Sequence, residues 1–418
     1  MSFLRRAGVG IACSWAAVCP VYSADNANWG QWRGPTRDGQ AAVFGTVESW
    51  PDAAIVVWSV EAGEGQSSPL AVGDRVVLFD REEGSERTRA LDVGSGKVLW
   101  SEREPVRFRP GMGGGRFGAG PKSTPAVADG RVVTYGVTSL LTVRDLATGR
   151  VVWRKDPRVE GVKPTLYWGN AVSPIVVDGR VIVHFGKAGK GGVRAYDLAD
   201  GRERWRVEEF GTSYSSPIVI GVGEAAILGV MTGEGPVGLS RDGKVLWQID
   251  FEQTFTRQNT PTPVVAGGLL VYGGESRPLF AHRVERRGAG WNTAPAWTRD
   301  DVSLGLASTV VVDGRVCGFS SKRKGQLFCL DAATGADVWL GPGRAGEHTA
   351  LLVVPGYLLA IGDEGVLRVL DRAGSAYRQV AEYEIAASPV FAHPAVVERG
   401  LVIKSHDRLE LLSFAGGE

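Results

Sequence analysis

The chain has 418 residues, with 47 lysines and arginines against 46 aspartates and glutamates and a formal net charge of +1. This balance excludes a protein built around a concentrated basic surface, so nucleic acid is not an expected partner. The 44% of hydrophobic residues, the 58 glycines and the 13 tryptophans are typical of a globular chain with many tight turns and aromatic contacts.

The first 24 residues have the pattern of a secretory signal peptide. Arg5 and Arg6 precede the short apolar run GVGIACSWAAVC, and the segment ends with the small residues of VYSA. We predict cleavage after Ser23 or Ala24, which removes residues 1–24 and exports the remaining chain to the periplasm, the cell envelope or the medium.

The mature chain is expected to comprise residues 25–418. Its formal net charge changes from +1 to about −1 because Arg5 and Arg6 leave with the signal peptide. The apolar run of the leader is much shorter than the ~20 residues that a membrane span requires, so no transmembrane segment is predicted. GIA before Cys13 loosely resembles a lipoprotein signal, so soluble export and lipoprotein export both stay open.

Two phrases alternate along the mature chain and define a repeat of roughly 40 to 55 residues. The opening phrase is a Ser or Thr beside Pro followed by an apolar run, as in SSPLAVGDRVVLF. The apolar runs are bounded by Gly, Asp or Pro, which is typical of β-strands. The openings start at Ser67, Ser123, Val172, Ser215, Thr260, Ala307, His348 and Ala387.

The closing phrase is an aspartate, a turn that contains glycine and then an aromatic residue, as in LDVGSGKVLW. Asp92 can cap the turn, Gly96 can adopt the positive φ that a tight turn requires, and Trp100 ends the phrase. A large flat ring at this point of each repeat predicts a stacking contact with the next repeat. The predicted docking residues are Trp58, Trp100, Trp153, Trp205, Trp247, Trp297, Trp339 and Tyr383.

Trp58 ends a strand that follows no opening phrase of its own. The strand near residues 55–60 is therefore predicted to complete the last repeat, residues 387–414, and to close a ring. About four strands per repeat and this displaced strand together predict an all-β fold, an eight-bladed β-propeller of four-stranded antiparallel blades. Residues 25–418 would then form a single domain, which we expect to be a monomer.

Cys317 and Cys329 remain in the mature chain, within RVCGFSSKRKGQLFCLD. A hairpin that is symmetric about Arg323 would place the two cysteines opposite each other on antiparallel strands. A disulfide formed in an oxidising compartment and two packed thiols are both compatible with that register.

The phrases ALDVGSGKVLW and CLDAATGADVW resemble the tryptophan-docking pattern of the pyrroloquinoline-quinone (PQQ)-like repeat family, in the quinoprotein alcohol dehydrogenase-like superfamily. The resemblance extends from about residue 29 to residue 414. The stretch NWGQWRGPTRDG, residues 28–39, also resembles the N-terminal phrase of secreted family members in planctomycete-type bacteria. The family includes quinoprotein dehydrogenases and non-enzymatic scaffolds such as the outer-membrane protein assembly factor B, so the resemblance implies the fold and leaves the function open.

A quinoprotein dehydrogenase implies PQQ and Ca²⁺ at the channel mouth, with oxygen ligands and an aspartate base. The sequence has no adjacent cysteine pair and no C-x-x-C-H haem motif, and Asp129, Asp178 and Asp313 occupy Asp-Gly turns. The five histidines show no metal-ligand spacing. We therefore expect a non-catalytic binding or scaffold module without a cofactor or metal. A PQQ- and calcium-dependent oxidoreductase is the alternative, and capture of an anionic saccharide or peptide is a second alternative.

Two long connections between repeats, residues 101–122 and 154–171, are predicted to lie at one end of the channel. They bring basic, aromatic and amide side chains to the face that also carries the residues just ahead of the openings. Such side chains suit a small anionic ligand or a segment of an envelope protein. The candidate ligand-binding residues are Gln66, Arg116, Lys122, Trp168, Asn170, Tyr214, Arg257, Asn259 and His348.

Overall fold

A computed structural model describes residues 28–414 except 112–113, 161–166, 188–189, 222, 252–258, 289, 388 and 399. The predicted signal peptide therefore lies outside the described residues. The described part of the chain contains no α-helix, and none of its helical turns has the length and apolar character needed to cross a membrane. The 3₁₀ turns are Ala42–Phe44, Gly114–Phe117, Pro157–Glu160, Gly223–Ala225 and Lys322–Lys324.

The described residues form thirty-two strands, β1 to β32, in eight four-stranded sheets. Blade 1 contains β2 (Leu70–Val72), β3 (Arg75–Glu82), β4 (Ser85–Asp92) and β5 (Val98–Pro105). Blade 2 contains β6 (Ala126–Ala128), β7 (Arg131–Tyr135), β8 (Leu141–Asp145) and β9 (Val151–Lys155). Blade 3 contains β10 (Ile175–Val177), β11 (Arg180–Lys187), β12 (Lys190–Asp197) and β13 (Glu203–Val207). Blade 4 contains β14 (Ile218–Ile220), β15 (Ile227–Met231), β16 (Pro236–Leu239) and β17 (Val245–Gln248).

The second half of the chain continues this pattern. Blade 5 contains β18 (Val264–Ala266), β19 (Leu269–Tyr272), β20 (Leu279–Arg287) and β21 (Gly290–Arg299). Blade 6 contains β22 (Val310–Val312), β23 (Arg315–Ser320), β24 (Gln326–Asp331) and β25 (Asp337–Gly343). Blade 7 contains β26 (Thr349–Val354), β27 (Tyr357–Gly362), β28 (Val366–Asp371) and β29 (Gln379–Glu384). Blade 8 contains β30 (Ala395–Val397), β31 (Gly400–Lys404), β32 (Arg408–Ser413) and β1 (Ile55–Glu61).

The N-terminal strand closes the ring. β1 pairs antiparallel with β32, with Ile55 opposite Ser413 and Glu61 opposite Arg408. Blade 8 therefore has the order β1-β32-β31-β30, which joins the two ends of the described chain. The predicted eight-bladed, all-β propeller is confirmed.

The Asp-Gly pairs in the opening phrases form the turns between the first and second strands of several blades. Asp129 and Gly130 have φ values of 48° and 67°, and Asp313 and Gly314 have values of 47° and 77°. Two successive positive φ angles are the requirement of a two-residue type I′ hairpin, which Asp-Gly satisfies at low cost. The recurrent Asp-Gly therefore acts in strand reversal, as its turn position in the sequence indicates.

The hydrophobic core lies between neighbouring blades. Val133 and Val143 of blade 2, for example, pack in one buried cluster with Val181 and Val183 of blade 3. Each sheet thus buries alternate side chains against its neighbours on both faces, and apolar burial of this kind contributes roughly 25 cal/mol per Å². This packing fixes the strands that surround the channel.

At the outer seams, where the outer edges of adjacent blades meet, indole groups donate hydrogen bonds to the neighbouring blade. The Nε1–H groups of Trp58, Trp100 and Trp153 each donate to a backbone carbonyl of the next blade at 2.8 Å. Trp205 makes the corresponding bond at 2.8 Å and Trp297 at 3.0 Å. The Nε1–H of Trp247 has no partner in the described part of the chain, so its contact is one of packing.

A glycine in the turn of the next blade lies against each of several indole faces. A β-carbon placed on Gly201 would be 2.7 Å from the Trp153 ring, and Gly201 has a φ of 71°. The turn therefore needs glycine for two reasons, its backbone conformation and the approach of the indole. Tyr383 differs, because its hydroxyl donates to the carbonyl of Pro51 at 2.6 Å.

The blade 6 hairpin carries Cys317 and Cys329. Cys317 and Cys329 are opposite residues of β23 and β24, and the turn between these strands contains Lys322–Lys324. The structure joins the two side chains in a disulfide, with the Cα atoms 4.0 Å apart. Both cysteines are buried, so the link lies inside the blade 6 core.

The connection after blade 1 is shorter than the predicted range of 101–122. β5 extends to Pro105 because Glu102, Arg103 and Glu104 continue the pairing with β4. Arg103 also forms ion pairs with Glu82 and Glu83, which favour the longer strand. The connection toward blade 2 therefore begins after Pro105.

Candidate functional site

Residues 29–44 cross the central channel. Gly30 accepts a hydrogen bond from Val127 of blade 2, and the Arg33 guanidinium donates to Thr309 of blade 6, which lies across the ring. Arg37 donates to the carbonyls of Ser173 and Pro174 in blade 3 at 3.1 and 3.0 Å. The N-terminal segment therefore closes the channel by bonding to blades on opposite sides.

Arg33 and Arg37 are almost completely buried in this crossing segment. Burial lowers the pKa of Arg33 to about 10 and that of Arg37 to about 9, although Asp38 partly offsets the shift at Arg33. Their guanidinium carbons lie 5.3 and 5.8 Å from the centre of the Trp32 ring. Two cations therefore lie beside Trp32 at the inner end of the channel mouth.

A ring of hydroxyl groups lines the channel beside this segment. In each case a Ser or Thr of one blade accepts a hydrogen bond from a backbone N–H of the adjacent blade, at 2.9 to 3.1 Å. The accepting residues are Ser68, Thr124, Ser173, Ser216, Thr262 and Ser308. They come from the Ser/Thr-Pro openings, which explains why a hydroxyl recurs there.

The hydroxyl ring is interrupted at blade 7. Val354 pairs with Tyr357 as Val72 pairs with Arg75, so Ala350 occupies the position that Ser68 has in blade 1. Alanine offers no acceptor to the neighbouring N–H. In blade 8 the corresponding residue is His393, whose backbone N–H donates to Ser68.

A cup of about 130 Å³ opens at this place in the channel. Its walls combine aromatic rings, hydroxyl groups, two imidazoles, one amide and one ammonium group. The lining residues are Trp32, Gln66, Ser68, Phe117, Lys122, Trp168, Ala171, Ser173, Tyr214, Ser216, Thr260, Thr262, Leu306, Ser308, His348, Phe391 and His393.

Aromatic side chains form one wall of the cup. Trp168 stacks on Tyr214, with ring centres 5.4 Å apart and planes within 7°. The Tyr214 hydroxyl accepts a hydrogen bond from the Trp168 backbone N–H at 3.0 Å. Phe117 contacts both Trp168 and Phe391, so the rings continue around the mouth.

Lys122 is the ammonium group of the described lining. Its Nζ donates to the carbonyls of Gly118 and Gly120 at 3.2 and 3.3 Å. Burial lowers the pKa of Lys122 to about 8, while the nearby Glu64 and Glu86 carboxyl groups act in the opposite direction. The side chain is therefore largely protonated at neutral pH.

The two imidazoles of the cup are neutral at neutral pH. Burial lowers the pKa of His348 to about 4, against smaller opposing effects of Asp363 and the Phe391 backbone. Burial, Arg33 and His348 together hold the pKa of His393 well below its usual range. The ring centres are 6.4 Å apart, and Nδ1 of His393 has no hydrogen-bond partner in the described residues.

The structure brings five of the sequence-predicted ligand-binding residues together in the cup. They are Gln66, Lys122, Trp168, Tyr214 and His348. The prediction for Arg257 and for the Arg116 side chain lies outside the described residues.

Asn170 and Asn259 have other positions. The Asn170 amide donates to the carbonyl of Tyr135 at 3.2 Å and its oxygen accepts from the Val172 N–H, while Asn259 donates to Thr232 at 2.9 Å. Both residues are buried and outside the cup lining, since their amides are used in holding the chain ahead of the first strands.

Sequence reasoning did not select Trp32, Phe117, Phe391, His393 or the hydroxyl ring. The Ser/Thr-Pro repetition contained a signal for the hydroxyls, because a residue that recurs beside the channel in each blade can form a ring. His393 stands at the same position of the blade 8 repeat, whereas Trp32 lies in the N-terminal phrase, outside the repeats.

Comparison with known proteins identifies the family. The family model described as outer membrane protein assembly factor BamB matches residues 85–340. This chain belongs to that family. A curated relative, the outer membrane protein assembly factor BamB of Burkholderia pseudomallei, is 23% identical over 421 aligned positions that cover 97% of this chain and 98% of the relative.

Solved structures show the same fold as this BamB-family chain. BamB from Moraxella catarrhalis superposes with a TM-score of 0.63 at 14% identity, covering 88% of this chain and 99% of that chain. The quinohemoprotein alcohol dehydrogenase from Comamonas testosteroni gives a TM-score of 0.70 at 13% identity, covering 94% and 82%. At these sequence identities the two structural similarities show a shared fold and do not indicate a function.

The side chains that the structure describes in the cup do not fit a calcium-bound PQQ. Ca²⁺ takes six to eight oxygen ligands, in most sites including carboxylates. The described cup lining contains no Asp or Glu, and no cluster of three or more His, Cys, Asp or Glu that could hold a metal occurs in the described part of this BamB-family chain. We derive no chemical step through PQQ.

Proposed function

We propose that this protein is a non-catalytic binding module of the cell envelope, a monomeric scaffold that binds a protein partner and presents the cup at its channel mouth. The observation that carries the proposal is the chemistry of the cup. Its described lining offers hydroxyl, imidazole, amide, ammonium and aromatic groups, which suit the binding of a ligand, and contains no carboxylate. Family membership supports the scaffold role, because the matched relative is named as an outer membrane protein assembly factor.

One prediction and two observations support the envelope as the location. The predicted leader would direct export, the matched relatives are named for the outer membrane, and Cys317 is bonded to Cys329. Disulfides persist in oxidising compartments such as the periplasm. Cell fractionation with N-terminal sequencing tests this, and a cytosolic protein that still begins at Met1 would contradict it.

The scaffold role is tested in cells that lack the protein. We expect lower amounts of folded outer-membrane β-barrel proteins, measured by their heat-modifiable migration in gels, and recovery when the intact gene is restored. A photo-crosslinking residue at an exposed position of an outer strand, such as Val98 or Val152, then identifies the partner. Unchanged β-barrel proteins and the absence of a defined crosslink at every blade would contradict the proposal.

The oxidoreductase alternative is tested with the purified mature chain. Calorimetric titration with PQQ, with and without Ca²⁺, is followed by a dye-linked alcohol or sugar oxidation assay. The proposal predicts neither calcium-dependent binding nor turnover. Calcium-dependent micromolar binding of PQQ with turnover would show that the protein is an oxidoreductase and would contradict the scaffold proposal.

A further inference from the structure

The hydroxyl groups of the cup have hydrogen atoms left to donate. A Ser or Thr hydroxyl has one donor hydrogen and two acceptor positions. The oxygens of Ser68, Ser173 and Ser216 already accept a backbone N–H from an adjacent blade. None of these three hydroxyls donates to another group of the described residues, so their O–H groups are available to a ligand.

The charged group that lines the described part of the cup is a cation, and the carboxyl groups of Glu64 and Glu86 lie behind it. Lys122 lines the cup, and two of its three N–H groups donate to Gly118 and Gly120, which leaves one. Arg33 and Arg37 lie on the ring of Trp32 at the inner end. Since the described lining contains no carboxylate, the cup is rich in donors and favours a ligand that is anionic and rich in acceptor oxygens.

The size and the aromatic walls restrict that ligand further. A volume of about 130 Å³ is smaller than the roughly 300 to 1,000 Å³ of sites for drug-sized ligands, so it suits a single ring. The flat aromatic surface of the Trp168–Tyr214 pair suits the C–H surface of a saturated ring. A sugar ring combines such a surface with many oxygens on its edge.

We propose that the cup binds a sugar acid, a pyranose ring that carries one carboxylate, as in a hexuronic acid. Lys122 binds the carboxylate with its remaining N–H, the hydroxyl ring donates to the sugar oxygens, and Trp168 packs on the ring face. The same chemistry is present in a free hexuronate and in the terminal residue of an acidic polysaccharide. The inference deepens the proposed binding function and rests on it in one respect, that the ligand is bound without being converted.

Calorimetric titration of the purified mature chain with sodium galacturonate and sodium glucuronate at pH 6.5 and low salt tests the proposal. Galactose and glucose are the matched neutral sugars, since they differ by the carboxylate alone. We expect measurable binding of at least one uronate, and at least tenfold weaker binding of its neutral counterpart. Equal affinity for the neutral sugar, or no binding of either uronate, overturns the proposal.

Two variants assign the roles. Lys122→Gln should weaken uronate binding at least tenfold and leave the affinity for the neutral sugar unchanged, whereas Trp168→Ala should weaken both. Lys97→Gln is the control, because Lys97 is exposed in a turn of blade 1. Unchanged uronate affinity in Lys122→Gln, with the fold intact by circular dichroism, overturns the assignment of the carboxylate to Lys122.

Further ligands distinguish a free hexuronate from the end of an acidic polysaccharide. Tighter binding of digalacturonate than galacturonate supports a polysaccharide end, and equal binding supports the free acid. If a dipeptide with a free C-terminal carboxylate binds more tightly than either uronate, the proposal of a sugar ligand is overturned in favour of a peptide.

If uronate does not bind but cells without the protein still lose folded β-barrel proteins, the sugar-acid proposal is wrong while the scaffold proposal stands. If uronate is oxidised in the presence of PQQ, the proposed non-catalytic function fails as well.

Discussion

The outer seams and the central channel connect the same blades by different means. At the seams, Trp100 and Trp153 donate to the next blade with the same geometry, and the same phrase of sequence produces both contacts. At the channel, the hydroxyl ring stops at Ala350, and His393, which takes the place of the hydroxyl in blade 8, contacts Trp32 from outside the repeats. Regular repetition therefore builds the ring, while departures from it supply the groups that distinguish this cup.

The largest effect is expected at an outer seam. Trp153→Ala should lower the free energy of unfolding by ~3 to 5 kcal/mol, because it deletes a buried indole and its bond to Leu198. Urea unfolding followed by circular dichroism measures it. Val152→Ala, at the exposed neighbouring position, should change stability by less than about 0.5 kcal/mol. An unchanged urea-unfolding curve in the Trp153 variant would remove this residue from the predicted docking set.

The channel-crossing segment should give the next largest effect. Arg37→Ala leaves the carbonyls of Ser173 and Pro174 without their donor and should cost ~2 to 4 kcal/mol. Trypsin should then cleave after Arg33, which is buried in the intact protein. Arg202→Ala is the control, because Arg202 is exposed on blade 3. Resistance of the Arg37 variant to cleavage would show that the segment is held without this contact.

A buried carboxyl behind the cup should have a smaller and pH-dependent effect. Burial raises the pKa of Glu86 to about 7, against the opposing hydrogen bond from Val137. A raised carboxyl pKa means that ionisation disfavours the folded state, so the destabilisation grows as the pH rises from about 4.5 to 7. Glu86→Gln should therefore stabilise the protein by about 1 to 3 kcal/mol at pH 8.

The pH dependence is the check on this substitution. At pH 5 the difference between Glu86→Gln and the parent chain should be small, since the parent carboxyl is then protonated in the folded state. Glu83→Gln is the control, because Glu83 is exposed in a turn. A Glu86 variant that is equally stabilised at both pH values would mean that ionisation is not the cause.

The smallest effect is expected in the hydroxyl ring. Ser216→Ala leaves the Ser173 N–H without its acceptor and should cost ~1 kcal/mol in thermal unfolding. Ser101→Ala, at an exposed position in β5, is the matched control. A loss as large as that in Trp153→Ala would mean that the channel contributes as much as the seam to holding the blades together.

The sequence is sufficient to predict only part of the site. Gln66, Tyr214 and His348 precede the opening phrases, so their place at the mouth follows from the repeat itself. Asn170 and Asn259 share that place, but their amides donate to backbone carbonyls of the preceding blade, those of Tyr135 and Thr232. Spacing locates a residue along a blade, whereas the direction of its side chain depends on which nearby carbonyls need a donor.

The sequence by itself determined the ring. The alternation of Ser/Thr-Pro openings and aromatic closings, with one strand displaced to the N-terminus, required eight blades and the pairing of β1 with β32. The opening and closing phrases are local and repeated, so each repeat of the sequence indicates the same blade structure. Only the tertiary structure decided the cup, because it brings Trp32, which lies outside the repeats, to Lys122 and His393 at the openings of blades 2 and 8. They meet because residues 29–44 cross the channel and bond to opposite blades, a contact between distant parts of the chain that no local pattern records.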